Sequence, residues 1–200
     1  MKLLTLNTWG GKLYQPLMTF IGRLCGQVDV FCFQEVFDSH SGIIESSGAR
    51  MTLLQDLVDA LPGYRLLYAR KSSGYDYSGV VDFQVNFGNA VFVKDGLEVL
   101  SSEELFEAID HPYHNWLDDA IGKAQLVQIK TPEDTYTICN FHGIWINGTG
   151  KRDTPERIAQ SEYLLKALSQ YSGKKILAGD FNLVPDGESF RILNDGMREW

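Results

Sequence analysis

Polar residues follow four apolar runs of the sequence and are the strongest candidates for chemistry. The runs end in Asn7, in Glu35, in His142, and in Asp180 with Asn182. In an extended chain, residues two positions apart point to the same side, so Asp180 and Asn182 are expected to project together from a strand end. If the four strands are neighbours, all of these side chains gather at one edge.

This set of side chains predicts metal-assisted hydrolysis of a phosphate ester. The sequence has no GxSxG motif, and its cysteines lie within apolar runs, which disfavours a serine or cysteine nucleophile. The segment nearest to a phosphate loop, Gly148-Thr149-Gly150-Lys151, does not have the GxxxxGK[ST] spacing. Carboxylates with amides and an imidazole suit a hard cation such as Mg²⁺. Such a cation neutralises a phosphoryl oxygen while side chains orient an attacking water.

Length and charge set the broad class. The chain has 200 residues, which predicts one domain over residues 1–200. The net charge of −8 argues against a protein that coats DNA, but not against an enzyme that meets a polyanion at one metal site. No apolar run is long enough for a signal peptide core or a membrane span, so we expect a cytoplasmic protein, and we expect it to be a monomer.

Apolar periodicity assigns the elements that position the candidate residues. Strands are predicted at 2–6, 29–33, 64–69, 89–93, 97–105, 124–130, 135–140 and 176–178, and helices at 15–26, 51–61, 153–173 and 189–195. Two long loops are expected at 72–88 and 107–119, the second with His111, His114 and Trp116. Helices mixed with a strand-rich middle predict two sheets packed face to face with helices outside.

Five segments, in order along the chain, resemble the endonuclease/exonuclease/phosphatase superfamily. They are Leu6-Asn7-Thr8-Trp9, Phe33-Gln34-Glu35-Val36, Gly88-Asn89-Ala90-Val91, Asn140-Phe141-His142-Gly143 and Gly179-Asp180-Phe181-Asn182. That superfamily includes DNase I, abasic-site endonucleases, neutral sphingomyelinases, inositol polyphosphate 5-phosphatases and deadenylases. The resemblance runs from residue 3 to about residue 186.

The resemblance implies a fold and a metal. The fold would be α+β, a DNase I-like four-layer α/β/β/α sandwich with two mainly antiparallel sheets. Glu35 would be the principal Mg²⁺ ligand, with Mn²⁺ as an alternative ion, and Asn7 would lie close to the metal and the scissile phosphate. From its residues alone, Asn7 is equally explained as the start of the turn that contains Gly10 and Gly11.

The resemblance also implies roles in catalysis. Asp180 would orient or activate the water, Asn182 would hold a non-bridging phosphate oxygen, and His142 would contact the phosphate or assist the leaving group. Asn89 would bind substrate from the outer shell of the site. Two alternatives stay open: a local Asx-type turn for Asp180 with Asn182, and a turn-side cap for Asn89.

One departure from the pattern affects the expected activity. Members of the superfamily end with a Ser-Asp-His-like motif whose His acts as general base, and no such motif follows Asp180 here. We therefore expect a domain truncated at its C-terminus, with natural loss as the alternative. The expected function is a Mg²⁺-dependent phosphodiesterase or nuclease-like hydrolase; the alternative is a non-catalytic binding module of the same fold. A nucleic acid, a phospholipid headgroup and a small phosphate ester all stay open as substrates.

Overall fold

Two mixed sheets and four helices form the described part of the chain. The computed structural model describes residues 1–110 and 122–198. The first sheet has the order β1-β2-β8-β5-β10 and the second the order β13-β12-β11-β9. The first comprises β1 (Leu3–Asn7), β2 (Val30–Asp38), β5 (Tyr64–Ser73), β8 (Asn86–Lys94) and β10 (Ile109–Asp110), and the second β9 (Glu98–Leu105), β11 (Lys123–Lys130), β12 (Thr135–His142) and β13 (Lys174–Asp180).

The remaining elements are helices and two small hairpins. The helices are α1 (Tyr14–Leu24), α2 (Leu53–Ala60), α3 (Pro155–Ser169) and α4 (Glu188–Arg198), with a 3-10 helix at Trp9–Gly11. The hairpins pair β3 (Glu45–Ser46) with β4 (Ala49–Arg50), and β6 (Tyr75–Asp76) with β7 (Gly79–Val80). None of the described helices has the length and apolar character needed to cross a membrane.

Strand alternation produces the layers. Along β2, Val30 and Cys32 are buried between the two sheets, whereas Phe31 and Phe33 pack in a cluster with α1 and α2. In the second sheet, Phe141 belongs to the cluster that packs against α3 and α4. Because each sheet is covered on both faces, its central strands are apolar on both sides. The predicted α+β class and four-layer sandwich are confirmed.

The layer between the sheets changes from apolar to polar toward one end. Gln34, Asn89 and Asn140 are fully buried there. Gln34 Nε2 donates to Asn140 Oδ1 over 2.6 Å, and Asn140 Nδ2 donates to the backbone carbonyls of Phe33 and Ala90. Buried amides need such partners, because an unpaired buried polar group is costly. The network therefore ties the two sheets together directly beneath the strand ends that carry the candidate residues.

The prediction of a long loop over 72–88 is largely wrong. Strand β5 continues to Ser73, the hairpin β6–β7 occupies the middle, and β8 begins at Asn86. The hairpin is too short to show periodicity, and its glycines and serines are typical of turns, so the sequence pattern concealed it. His111, His114 and Trp116, from the second expected loop, lie outside the described residues.

Candidate active site

The middle of β2 and the ends of β12 and β13 bring three predicted site residues together. Strand β2 continues past Glu35 to Asp38, so the expectation that this strand ends at Glu35 is wrong. One ligand atom from each of Glu35, His142 and Asp180 lies within 4.8 Å of the other two. His142 and Asp180 are register partners in the parallel pair β12–β13. Glu35 Oε1 lies 3.7 Å from His142 Nε2, across the gap between the sheets. The sequence prediction that these side chains share one edge therefore agrees with the geometry.

A bulge in β2 aims the Glu35 side chain into this cluster. The register between β2 and β8 shifts between Phe33 and Val36, and Glu35 has a φ of +59°. The Thr8 hydroxyl lies 2.9 Å from the Gln34 carbonyl and 2.8 Å from that of Glu35, which holds the bulge in place. A non-glycine residue with positive φ is uncommon and is concentrated at functional sites.

Asn7 joins the two carboxylates of the cluster. Its Nδ2 donates to Glu35 Oε1 over 2.8 Å and to Asp180 Oδ2 over 2.9 Å. Its Oδ1 accepts from the backbone N–H of Trp9 over 2.8 Å, which fixes the orientation of the amide. Asn7 therefore turns its nitrogen, not its oxygen, toward the cluster. In this structure its nitrogen bridges the two carboxylates, and its place close to the metal stays a prediction from the sequence.

Tyr77, from the segment predicted as a loop over 72–88, reaches the cluster. Its hydroxyl donates to Glu35 Oε2. Gly10, at a φ of +57°, leaves room for the ring, since a Cβ at this position would lie 2.7 Å from Tyr77 Cε2. The ammonium of Lys12 lies 4.5 Å from the centre of the Tyr77 ring. A glycine after Trp9 is consistent with another group packing closely against the backbone there, but nothing in the sequence identifies that group as Tyr77.

The imidazole of His142 is buried and neutral. Burial, with smaller contributions from the ammonium groups of Lys71 and Lys151, holds the pKa of His142 well below its usual 6.5. Its Nδ1 is buried and has no hydrogen-bond partner among the described residues, while its Nε2 faces Glu35. A neutral imidazole can donate one hydrogen bond or bind a metal ion through its free nitrogen.

Asp180 and Asn182 form the Asx-type turn that the sequence left as an alternative. The backbone N–H of Asn182 donates to Asp180 Oδ1 over 3.1 Å, and Asn182 has a φ of +52°. Its side-chain Nδ2 donates to the Gly143 carbonyl over 3.1 Å. Asn182 is buried, so its amide ties the end of β13 to the segment that follows β12.

Asn89 lies in the buried layer between the sheets. It is fully buried, and its Nδ2 donates to the carbonyls of Lys123 and Asn140. Its neighbours therefore place it in the network between the sheets. Its contact with substrate stays a prediction from the sequence.

The donor set suits a divalent cation. Two carboxylates supply hard oxygen ligands, and the neutral imidazole supplies one nitrogen. Mn²⁺ and Mg²⁺ differ in how readily they accept a nitrogen ligand. Asn7 donates hydrogen bonds to both carboxylates without changing their charge, and Lys151 lies 4.0 Å from Asp180 Oδ1. The residues present therefore fit a metal ion, with Glu35 as its principal oxygen donor and Asp180 beside it.

The fold matches several solved structures at low sequence identity. An endonuclease/exonuclease/phosphatase family protein from Leptotrichia buccalis gives a TM-score of 0.65 at 18% identity, over 98% of this chain and 72% of that one. A mannosyl-6-phosphatase from Bacteroides thetaiotaomicron gives 0.61 at 17% identity, over 96% and 68%. TDP2 from D. rerio, complexed with a single-strand DNA product, gives 0.58 at 15% identity, over 91% and 60%. These likenesses establish a DNase I-like fold.

The sequence itself matches a family model. No curated protein matches the chain. The model of the Endonuclease/Exonuclease/phosphatase family, however, matches residues 4–200, which include every residue of the cluster. The chain therefore belongs to the endonuclease/exonuclease/phosphatase family.

Proposed function

We propose that this protein is a divalent-metal-dependent phosphoesterase that uses Mg²⁺ or Mn²⁺. The observation that carries the proposal is the convergence of Glu35, His142 and Asp180 within 4.8 Å at one edge of the two sheets in a family member. When bound, the ion neutralises charge on the phosphoryl group and polarises it for attack by water.

The environment of each side chain supports a distinct role. Glu35 is fixed by Asn7 and Tyr77 and has a side chain only 16% exposed, which suits a metal ligand. Asp180 is more open, at 27%, which suits a base or an orienting group for the attacking water. The neutral His142 would donate a hydrogen bond to a phosphate oxygen or to the leaving oxygen.

The substrate is proposed only as a phosphate ester. One structural neighbour is named as a mannosyl-6-phosphatase and another holds a single-strand DNA product. They support a phosphoester substrate for this chain without choosing between a nucleic acid, a phospholipid headgroup and a small phosphoester. A cytoplasmic location and a monomeric state stay predictions from the sequence.

Hydrolysis of two chromogenic esters tests the proposal. Bis-p-nitrophenyl phosphate and p-nitrophenyl phosphate would be incubated with the protein in Mg²⁺, in Mn²⁺ and in EDTA. We expect turnover only with metal, lost in Glu35→Gln and Asp180→Asn and kept in Glu162→Gln, an exposed acid on α3. Turnover that persists in EDTA or in Glu35→Gln would contradict the proposal. Metal binding without turnover of any ester would favour the non-catalytic module.

A further inference from the structure

A lysine that no predicted role includes lies at the edge of the acidic cluster. Lys151 closes the segment Gly148-Thr149-Gly150-Lys151, which lacks the spacing of a phosphate loop. In the structure its Nζ lies 4.0 Å from Asp180 Oδ1, and its side chain is 46% exposed. The loop after β12 therefore places an accessible positive charge beside Asp180, at the edge of the cluster.

The backbone of this loop is held in an unusual conformation. Lys151 has a φ of +61°, and Gly148 and Gly150 also have positive φ. The Lys151 carbonyl accepts a hydrogen bond from the N–H of Val184 over 3.2 Å, which anchors the loop to the segment that follows Asp180. A bulky residue at positive φ persists only where its surroundings enforce it, and such positions are concentrated at functional sites.

A buried arginine braces the same loop. Arg157, in the first turn of α3, is 1% exposed. Its guanidinium donates to the Ile144 carbonyl over 3.5 Å, to Thr149 Oγ1 over 2.9 Å and to the Arg152 carbonyl over 2.5 Å. Among the described residues it forms no ion pair with a carboxylate. Burial of a charge without an ionic partner is costly. The three hydrogen bonds offset part of this cost and indicate that the role of Arg157 is to hold the loop rigid.

We propose that Lys151 binds the phosphate group of the substrate and favours a dianionic terminal phosphate over a phosphodiester. The proposal rests on the phosphoesterase function proposed above. A lysine is a compact point charge that binds phosphate, and its attraction to a group of charge −2 is about twice that to −1. Arg157 is then a positioning residue that holds Lys151 through the loop. An ion pair between Lys151 and Asp180 at the surface would by itself contribute little to stability. Such a pair would not require a buried arginine to hold the loop.

Binding of inorganic phosphate tests the subsite without relying on turnover. Calorimetric titrations at about pH 8, where inorganic phosphate is mostly dianionic, would be run with and without Mn²⁺. We expect Lys151→Met to weaken phosphate binding about tenfold or more, the effect of losing one charged hydrogen bond. Lys151→Arg should restore most of the affinity. Lys166→Met, which removes an exposed lysine from α3, is the matched control and should bind as the wild type does.

Kinetics on the two p-nitrophenyl esters separate the subsite from the function. Lys151→Met should reduce kcat/KM for the monoester severalfold more than for the diester. An equal loss on both esters, unchanged phosphate affinity in Lys151→Met, or no phosphate binding by the wild type would overturn the subsite. If Lys151 governs phosphate binding while metal-dependent hydrolysis is absent, the subsite stands and the proposed enzyme function fails.

Two variants test the positioning role of Arg157. Arg157→Met should weaken phosphate binding as Lys151→Met does, and Arg157→Lys should restore part of it. If Arg157→Met does not fold, Thr149→Val decides the question, because it removes one acceptor of Arg157 from the partly exposed loop. Thr149→Val should weaken phosphate binding and leave Mn²⁺ affinity unchanged. Wild-type phosphate affinity in Thr149→Val would overturn the role of Arg157.

Discussion

The amide nitrogen of Asn7 lies 2.9 Å from Asp180 Oδ2, although the two residues are 173 positions apart in the chain and belong to different sheets. The same nitrogen donates to Glu35 Oε1. One neutral side chain thus holds two acids close together before any ion arrives. Such preorganisation reduces the reorganisation that binding requires.

Replacement of Asn7 by Asp should destabilise the metal-free protein. The change removes two donors and adds a third carboxylate beside Glu35 and Asp180. We expect a loss of roughly 3 kcal/mol, which corresponds to a decrease of about 6–12 °C in Tm for a chain of this size. Thermal unfolding in EDTA and in Mn²⁺ measures it, and the ion should reverse most of the loss. An equal decrease in both conditions would contradict this account of Asn7.

Tyr77→Phe should reduce metal affinity while preserving the fold. Phenylalanine fills the same space but cannot donate to Glu35. Loss of a hydrogen bond that orients a metal ligand typically costs about 10- to 100-fold in affinity. Tyr171→Phe is the matched control, because its hydroxyl also donates to a carboxylate, that of Glu103, on the exposed surface. Mn²⁺ titration of both variants should show the loss in Tyr77→Phe alone.

Asn140→Leu should destabilise the junction between the sheets. The variant removes the hydrogen bonds of Asn140 to the Phe33 and Ala90 carbonyls and to Gln34 Nε2 inside a buried layer. Gln34 Nε2 keeps its bonds to Thr5 Oγ1 and the Cys32 carbonyl. We expect a loss of roughly 3–5 kcal/mol in the free energy of unfolding, because each buried unpaired group costs about 1–3 kcal/mol. Urea unfolding measures this loss. Asn194→Leu, on the less buried α4 surface, should change stability little. Similar values for both variants would show that the network is not stabilising.

Asp153 should contribute to the free energy of unfolding, and this contribution should decrease in acid. Its carboxylate accepts from the backbone N–H groups of Ser189 and Glu188, and these bonds, that of Ser189 first, lower the pKa of Asp153 from its usual 3.8. A lowered folded pKa means that this stabilisation is complete above pH 3.8 and is lost as the pH falls through the folded value. Asp153→Asn should therefore differ most from the wild type near neutral pH, and the difference should shrink in acid. A difference that is independent of pH in urea unfolding would contradict this.

The sequence predicted the layers and the cluster because both follow from local patterns. The apolar run of Val30 to Phe33, followed by Gln34 and Glu35, identifies a central strand with polar residues after its apolar part. The same pattern at His142 and Asp180 predicted that the three residues gather at one edge, provided that their strands are neighbours. The strand register brings His142 and Asp180 side by side, since they are direct partners in β12 and β13.

The contacts that complete the site depend on tertiary structure and left little trace in the sequence. Tyr77 reaches Glu35 from a hairpin whose glycines and serines are typical of a loop. The predicted helix begins at Asp153, whereas in the structure Thr154 caps α3 and Asp153 caps the start of α4. The orientation of Asn7 depends on the Trp9 N–H, which no residue pattern records.

The measurement that tests the central claim most directly is the titration of Mn²⁺ into the wild type and into Glu35→Gln, followed by calorimetry. Glutamine preserves the shape of the side chain and removes the charge that would hold the ion. We expect saturable binding by the wild type and loss of that binding in Glu35→Gln. Wild-type affinity in Glu35→Gln, with both proteins folded, would contradict the assignment of Glu35 as the principal metal ligand.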